Sequence, residues 1–453
     1  MFGPIVCLAV GILLILVFIL YLRLHPFLAL ATVAIAIAVL SDRIPTHEAL
    51  PLVARSFGEM MGNIGILIAL AAIIGKCLMD SGAADRIVRA FTRVFGPGRE
   101  NYALLSSGFV LSIPVFFDTV FYLLAPLARA AYARSGRDYV LLICSVGAGA
   151  AITHALVPPT PGPLAVAEQL GVSVAMAILG GLLCSVPPAI VGGVIYAKWI
   201  NRRMPVAPGA ALGVSEADLS ATAAKADHEL PGLFLSMLPF ALPIVLLAGT
   251  GIARPMTDNA ATLAWLNVFG DKNLVFMLGA GVALWLVLRQ RTAGLRETMV
   301  QLEPAVASGA VIAFITSAGG AFGKVLAAAG VGEAIGTAAS QWGLSLLALA
   351  FLTAALVRIA QGSATVAMLT AAGIVAPALE TVELSYHPVY LMTAIGLGAT
   401  GFSWMNDSGF WLFGQLTGLS ETQTLKTWSA SLTIMALSGI LWVALLTRIL
   451  PLM

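Results

Sequence analysis

The chain contains itself twice, and that constrains its fold more than any other feature. Gly75-Lys76-Cys77-Leu78-Met79-Asp80-Ser81-Gly82 recurs as Gly323-Lys324-Val325-Leu326-Ala327-Ala328-Ala329-Gly330. The matches then keep their order. Asp85 meets Glu333, Ile87 meets Ile335, Gly147-Ala148-Gly149-Ala150 meets Gly396-Leu397-Gly398-Ala399, and Gly171-Val172-Ser173 meets Gly418-Leu419-Ser420. Two related halves imply a seam between them, and membrane proteins built this way bind ligands at the seam.

Composition places both halves in a membrane. The sequence is 59% hydrophobic and 10% charged, with a mean hydropathy of +0.97. So few charges cannot cover a soluble surface of this size. Apolar runs recur at Pro4–Leu22, Phe27–Leu40, Ile64–Met79, Leu233–Gly251, Leu274–Leu288 and Leu432–Leu446. A lipid core requires such runs to be helical or part of a closed barrel, and their length fits helices. The first run has no basic residue before it and no small-residue cleavage site after it, so it reads as a span and not as a secretion signal. The four cysteines stand singly in apolar segments, without metal or disulfide spacing, and read as packing residues. The net charge of +2 gives no reason to expect a nucleic-acid partner.

The expected fold is all-α and polytopic, with two inverted-topology repeats forming a scaffold and a transport domain. The first repeat covers residues 1–200, a polar cytoplasmic linker 201–230, and the second repeat 231–453. Within each half, two spans precede an amphipathic connector and a span bearing the Gly-Lys pair. A second short connector, a long broken segment, an interrupted Gly-rich helix and a last span follow. The broken segments, Tyr102–Arg129 and Leu344–Leu379, carry Ser112 or Ser363 near the middle and Pro126 or Pro377 further on. Each is expected to be a re-entrant hairpin with its serine near the tip, because non-helical backbone at that depth must be buried or line a wet cavity.

A hairpin adds no crossing, so each half crosses about five times, and two consecutive odd halves are inverted. Basic residues divide accordingly. Arg23, Arg86, Arg89, Arg93, Arg99, Arg129, Arg134, Arg137, Lys198, Arg202, Arg203, Lys225, Arg289, Arg291, Arg296 and Lys426 fall on one side, whereas the other receives Arg43, Arg55, Arg254, Lys272 and Arg448. That excess marks the first side as cytoplasmic and leaves both termini periplasmic.

Four polar elements sit at apolar depth. The first hairpin holds Ser112, Pro114 and Asp118. An intramembrane acid is costly and is either paired structurally or a proton carrier. The first helix break runs from Thr153 to Pro163, with four prolines and a glycine in its last six residues. It contains His154, Pro159 and Gly162. A continuous helix is impossible there, and the freed backbone groups need partners that a ligand can supply. His154 is either a packing residue or a proton relay. The second hairpin holds Arg358, Gly362, Ser363 and Thr365. Its small tip lets backbone approach a ligand, and its arginine either clamps a carboxylate or snorkels to the membrane edge. The second break holds Asn406, Asp407 and Ser408, which offer donors and acceptors for hydroxyls or cap the next half-helix.

Together these elements resemble the gluconate permease family of the ion transporter superfamily. The resemblance rests on Ile-Pro-Val-Phe-Phe-Asp at 113–118, His-Ala-Leu-Val-Pro-Pro-Thr-Pro-Gly-Pro at 154–163, Arg-Ile-Ala-Gln-Gly-Ser-Ala-Thr-Val-Ala at 358–367 and Met-Asn-Asp-Ser-Gly-Phe-Trp at 405–411. It implies a homodimeric, bacterial inner-membrane importer of gluconate or a related sugar acid by proton symport, with no enzymatic activity and no cofactor. A sodium-coupled carboxylate symporter, or a D-serine or hydroxy-acid permease of the same family, is the alternative. In this scheme half-helix N-termini and Arg358 hold the carboxylate, and Asn406, Ser408, Ser363, Thr365 and Ser112 hold hydroxyls. Asp118 or Asp407 carries the proton, with His154 as relay. Where the family pattern often has Glu, this chain has Asp118, one methylene shorter.

Overall fold

The structure, a computed structural model, describes residues 2–208, 229–290, 294–331, 334, 345–380, 382–405 and 407–452. Regular structure among them is helical, apart from an isolated bridge between Phe2 and Ser41. Six helical stretches are long and apolar enough to cross a membrane.

The first half runs α1 (Pro4–Leu16), α2 (Pro26–Leu40), α3 (Thr46–Asp80), α4 (Ala83–Phe95), α5 (Glu100–Leu111), α6 (Phe117–Ser135), α7 (Tyr139–Leu156) and α8 (Pro161–Gln169). It ends on α9 (Val174–Arg203), which passes through a π-helical stretch at Val191–Tyr196. The second half runs α10 (Leu233–Ala253), α11 (Ala260–Phe269), α12 (Lys272–Gln290), α13 (Leu295–Ala328), α14 (Leu346–Gln361), α15 (Ala364–Val375), α16 (Val389–Thr400), α17 (Ser408–Thr417) and α18 (Glu421–Ile449).

The order of parts therefore recurs: two helices, one very long helix, a helix–turn–helix pair, a broken helix and a final long helix. Two details differ from the sequence reading. The amphipathic connector and the Gly-Lys span are one continuous helix in each half, of 35 residues in α3 and 34 in α13. Pro51 and Pro304 lie inside these helices, beyond the first turn; each removes one backbone hydrogen bond and neither ends its helix. In addition, α11 has no counterpart in the first half, and none of its residues is buried.

α3 packs on α13, and α2 and α12 flank them. A second group packs α5 on α7, α14 on α16, and α9 on α18. The broken helices form its axis: every residue of α16, and every residue of α7 except His154, is buried. A helix enclosed on all sides needs no polar stripe, hence the unbroken apolar and small-residue sequence.

The repeated glycines explain the tight packing. A Cβ on Gly149 of α7 would lie 2.2 Å from the Leu105 carbonyl oxygen of α5. Its sequence counterpart Gly398 of α16 faces the Phe351 carbonyl of α14 in the same way, at 2.3 Å. In both halves only glycine allows the broken helix to touch the first arm of its helix pair. All four cysteines are free and buried.

Candidate functional site

Both helix pairs turn where the sequence forbids helix. α5 stops at Leu111, and Pro114 lies in the turn before α6 starts at Phe117. α14 ends on Gly362, whose φ of 84° is left-handed, and Ser363 then caps α15 by accepting from the Val366 amide. The broken helices restart at Thr160 and at Asp407, of which only Asp407 caps the helix that follows. Thr160 precedes α8, and its hydroxyl lies 2.8 Å from the His154 carbonyl and 2.7 Å from that of Val157, so carbonyls freed by the prolines keep a donor. Asp407 caps α17, its Oδ1 accepting from the Gly409 amide at 3.0 Å.

The starts of α6, α8, α15 and α17 converge on one cavity of about 540 Å³. Its walls include Phe116–Thr119, His154, Pro161, Arg358, Gly362–Thr365, Thr400, Asp407–Gly409 and Trp428. Ser308 and Ile312 of α13 close it from the other group of helices. Four helix N-termini around one space make a field that favours an anion. They differ in what they offer. α6 has no side-chain cap, so its first amides are open. α8 begins Pro161-Gly162-Pro163, and the prolines have no N–H, so it offers chiefly its dipole.

One buried ion pair organises the second half of the site. Arg358 Nη2 lies 2.5 Å from Asp407 Oδ2, and the two side chains are only 4% and 9% exposed. Arg358 also donates through Nη1 to the Gly362 carbonyl, tying the turn to its own helix. Ser403 donates to the same Asp407 oxygen, and Trp428 Nε1 donates to Ser403 Oγ at 2.8 Å. The Trp428 ring packs on Phe117 and Phe413, with centroids 5.0 and 5.2 Å apart. The chain Trp428–Ser403–Asp407–Arg358–Gly362 thus fixes three separate elements in one register.

Against the sequence reading, the cavity brings together Asp118, His154, Arg358, Gly362, Ser363, Thr365, Asp407 and Ser408. Ser112, Pro114, Pro159 and Gly162 are buried and do not line it. Among the described residues Ser112 Oγ has no hydrogen-bond partner, and Gly162 packs against Met368. Asn406 lies outside the described residues, as does most of the expected linker, at 209–228. Arg358 does not snorkel; it is buried against Asp407. Lys76 and Lys324 lie away from this cavity: Lys76 pairs with Asp80 at 2.8 Å, and Lys324 lines a separate, smaller cavity.

Among the described residues, no hydrogen bond or ion pair reaches the Asp118 carboxylate, which is accessible from the cavity. His154 Nδ1 has no partner either, and its ring sits edge-on to Phe116. Sequence reasoning missed Thr119, Ser308, Thr400, Ser403 and Trp428. Thr119 and Thr400 adjoin a turn and a break and were findable on that ground. Ser308 and Trp428 sit inside long helices and carry no local signal. Among the described residues no group of three or more His, Cys, Asp or Glu is arranged to hold a metal.

Comparison with known proteins agrees with this architecture. The family model for GntP family permeases matches residues 3–449. The chain is 34% identical over 429 residues to the gluconate permease of Pseudomonas aeruginosa, covering 94% of each protein. It is 33% identical over 442 residues to the low-affinity gluconate transporter of Escherichia coli, covering 95% of each. It shares its fold with the crystal structure of the YdaH transporter of Alcanivorax borkumensis, at a TM-score of 0.63 and 13% identity, over 94% of this chain and 98% of that one. A multi-pass helical architecture, the match along nearly the whole sequence and these relatives establish that the chain belongs to the GntP family of permeases.

Proposed function

We propose that the protein is a secondary importer of gluconate or a closely related sugar acid, driven by proton symport. One observation carries the reading: four helix N-termini meet at a cavity that also holds a carboxylate with no counter-ion among the described residues. Each terminus contributes a partial positive charge of about half a unit, which suits a substrate carboxylate. Thr365, Ser363, Ser408, Thr119 and Thr400 supply hydroxyls at the same walls, matching a polyhydroxylated tail. A volume near 540 Å³ falls within the range of small-molecule sites.

The charge count gives the coupling. Arg358 and Asp407 cancel each other. Asp118 is then a second negative charge facing an anionic substrate. Protonation of Asp118 removes that repulsion, so proton and substrate favour each other's binding. His154, on the same wall, relays the proton. Arg358 acts on the substrate indirectly, by holding Asp407 and the Gly362 carbonyl in place.

In this reading the two halves are inverted repeats, the helix pairs are re-entrant, and the seam is the transport site. The protein sits in the bacterial inner membrane as a homodimer, with both termini periplasmic. The test is uptake of labelled gluconate into proteoliposomes. An inward proton gradient should drive saturable accumulation that collapses with an uncoupler. Accumulation driven by a sodium gradient at fixed pH, and not by protons, would replace the proton with sodium.

A further inference from the structure

We propose that the cytoplasmic end of α9 is a binding site for an anionic phospholipid. The inference is independent of what the protein transports.

α9 changes character along one face. Ile190 and Val194 are followed at helical spacing by Lys198 and Arg202, and the adjoining stripe reads Ile195, Trp199, Arg203. The order is aliphatic, then aromatic, then cationic. From Ile190 to Arg202 the rise is roughly 18 Å, comparable with one lipid from mid-chain to headgroup. These residues line an open groove of about 500 Å³, walled on its other side by Tyr102 of α5. The apolar end is bare: Ile190 and Ile195 are 44% and 60% exposed.

The cationic end is preset. Lys198 Nζ lies 3.2 Å from the Tyr102 hydroxyl and over its ring. The Arg203 guanidinium stacks 4.3 Å from the Trp199 ring centroid. Among the described residues, no carboxylate pairs with Lys198, Arg202 or Arg203. Cations at a helix C-terminus also offset its dipole, but that explains neither the aliphatic floor nor the tyrosine wall. A phosphate diester between the three cations, with an acyl chain along Ile195 and Ile190, satisfies both ends. The excess of basic residues assigns this end to the cytoplasmic leaflet, where anionic lipids attract such clusters.

The experiment uses the full-length protein in neutral detergent and measures the Kd for phosphatidylglycerol. Phosphatidylcholine and free glycerol 3-phosphate are the comparison ligands. We expect phosphatidylglycerol to bind at least tenfold more tightly than either. Arg202→Gln should weaken it about fivefold, and the triple variant K198Q/R202Q/R203Q about a hundredfold. Arg289→Gln removes an arginine that also stacks on a tryptophan at a helix end, and should change nothing. The side chain of Arg202 makes no described hydrogen bond or ion pair, so Arg202→Gln decides the question even if the triple variant fails to fold. Binding within twofold of the parent in Arg202→Gln overturns the proposal. Equal binding of phosphatidylcholine, or of glycerol 3-phosphate, also overturns it. So does an Ile195→Cys crosslink that captures a second copy of the chain in place of lipid.

Discussion

Asp118 and Asp407 face the same cavity but differ in their partners, and substitution tests the separate roles proposed for them. Asp118 has no described partner, so Asp118→Asn leaves no orphaned charge and the variant should fold with an unchanged melting temperature. It should lose accumulation driven by a pH gradient while keeping exchange of labelled for unlabelled substrate; wild-type accumulation would move the proton role to His154. Asp118→Glu restores the carboxylate one methylene further out and should restore coupling. Asp407 is the buried partner of Arg358. Arg358→Gln leaves that acid unpaired at low dielectric, at a cost of about 3–5 kcal/mol. The double variant R358Q/D407N removes both charges and should recover much of the lost melting temperature. If it melts no higher than Arg358→Gln, the pair is not what stabilises the turn.

At the scale of the helix, the paired glycines act as spacers. Alanine at Gly149 or Gly398 places a methyl group against a backbone carbonyl that cannot rotate away. Overpacking of this kind costs about 1–3 kcal/mol, so either variant should melt lower and transport more slowly. Gly58 sits in α3 with nothing within 4 Å of an added Cβ. Gly58→Ala is the control and should be neutral or slightly stabilising, since alanine favours helix. Equal melting temperatures for all three would mean that α7 shifts from α5, and α16 from α14, at no cost. The helix breaks follow a similar logic. Proline-rich and Asx-capped sequence ends one half-helix and starts the next, and the backbone groups left over are met locally by Thr160 and Asp407.

For the whole molecule the inverted arrangement proposed above has a direct consequence. Ser135 is the last residue of α6, and Asn259 precedes α11; both are exposed. Opposed halves place them on opposite sides of the membrane. Because the natural cysteines are all buried, single Ser135→Cys and Asn259→Cys variants can be read without removing them. A membrane-impermeant maleimide should label Asn259→Cys in intact cells and Ser135→Cys only after permeabilisation. Labelling of both from outside would contradict the proposed topology.

Helix order, the positions of the turns and breaks, and the identity of most polar side chains lining the cavity were legible from residue order, because each rests on local chemistry. Proline removes a donor, glycine reverses a chain, and Ser or Asp caps the helix that follows. The repeat was legible because both halves meet the same packing problem at Gly149 and Gly398. What the sequence could not disclose was who faces whom. Arg358 and Asp407 lie 49 positions apart and look like independent ligands until the fold makes them one another's counter-ion. Asp118 becomes the unpaired acid only once that pairing is known. Ser308 and Trp428 join the cavity because distant helices bring them there. Long-range pairing depends on which surfaces the packed helices leave in contact, and no local rule encodes it.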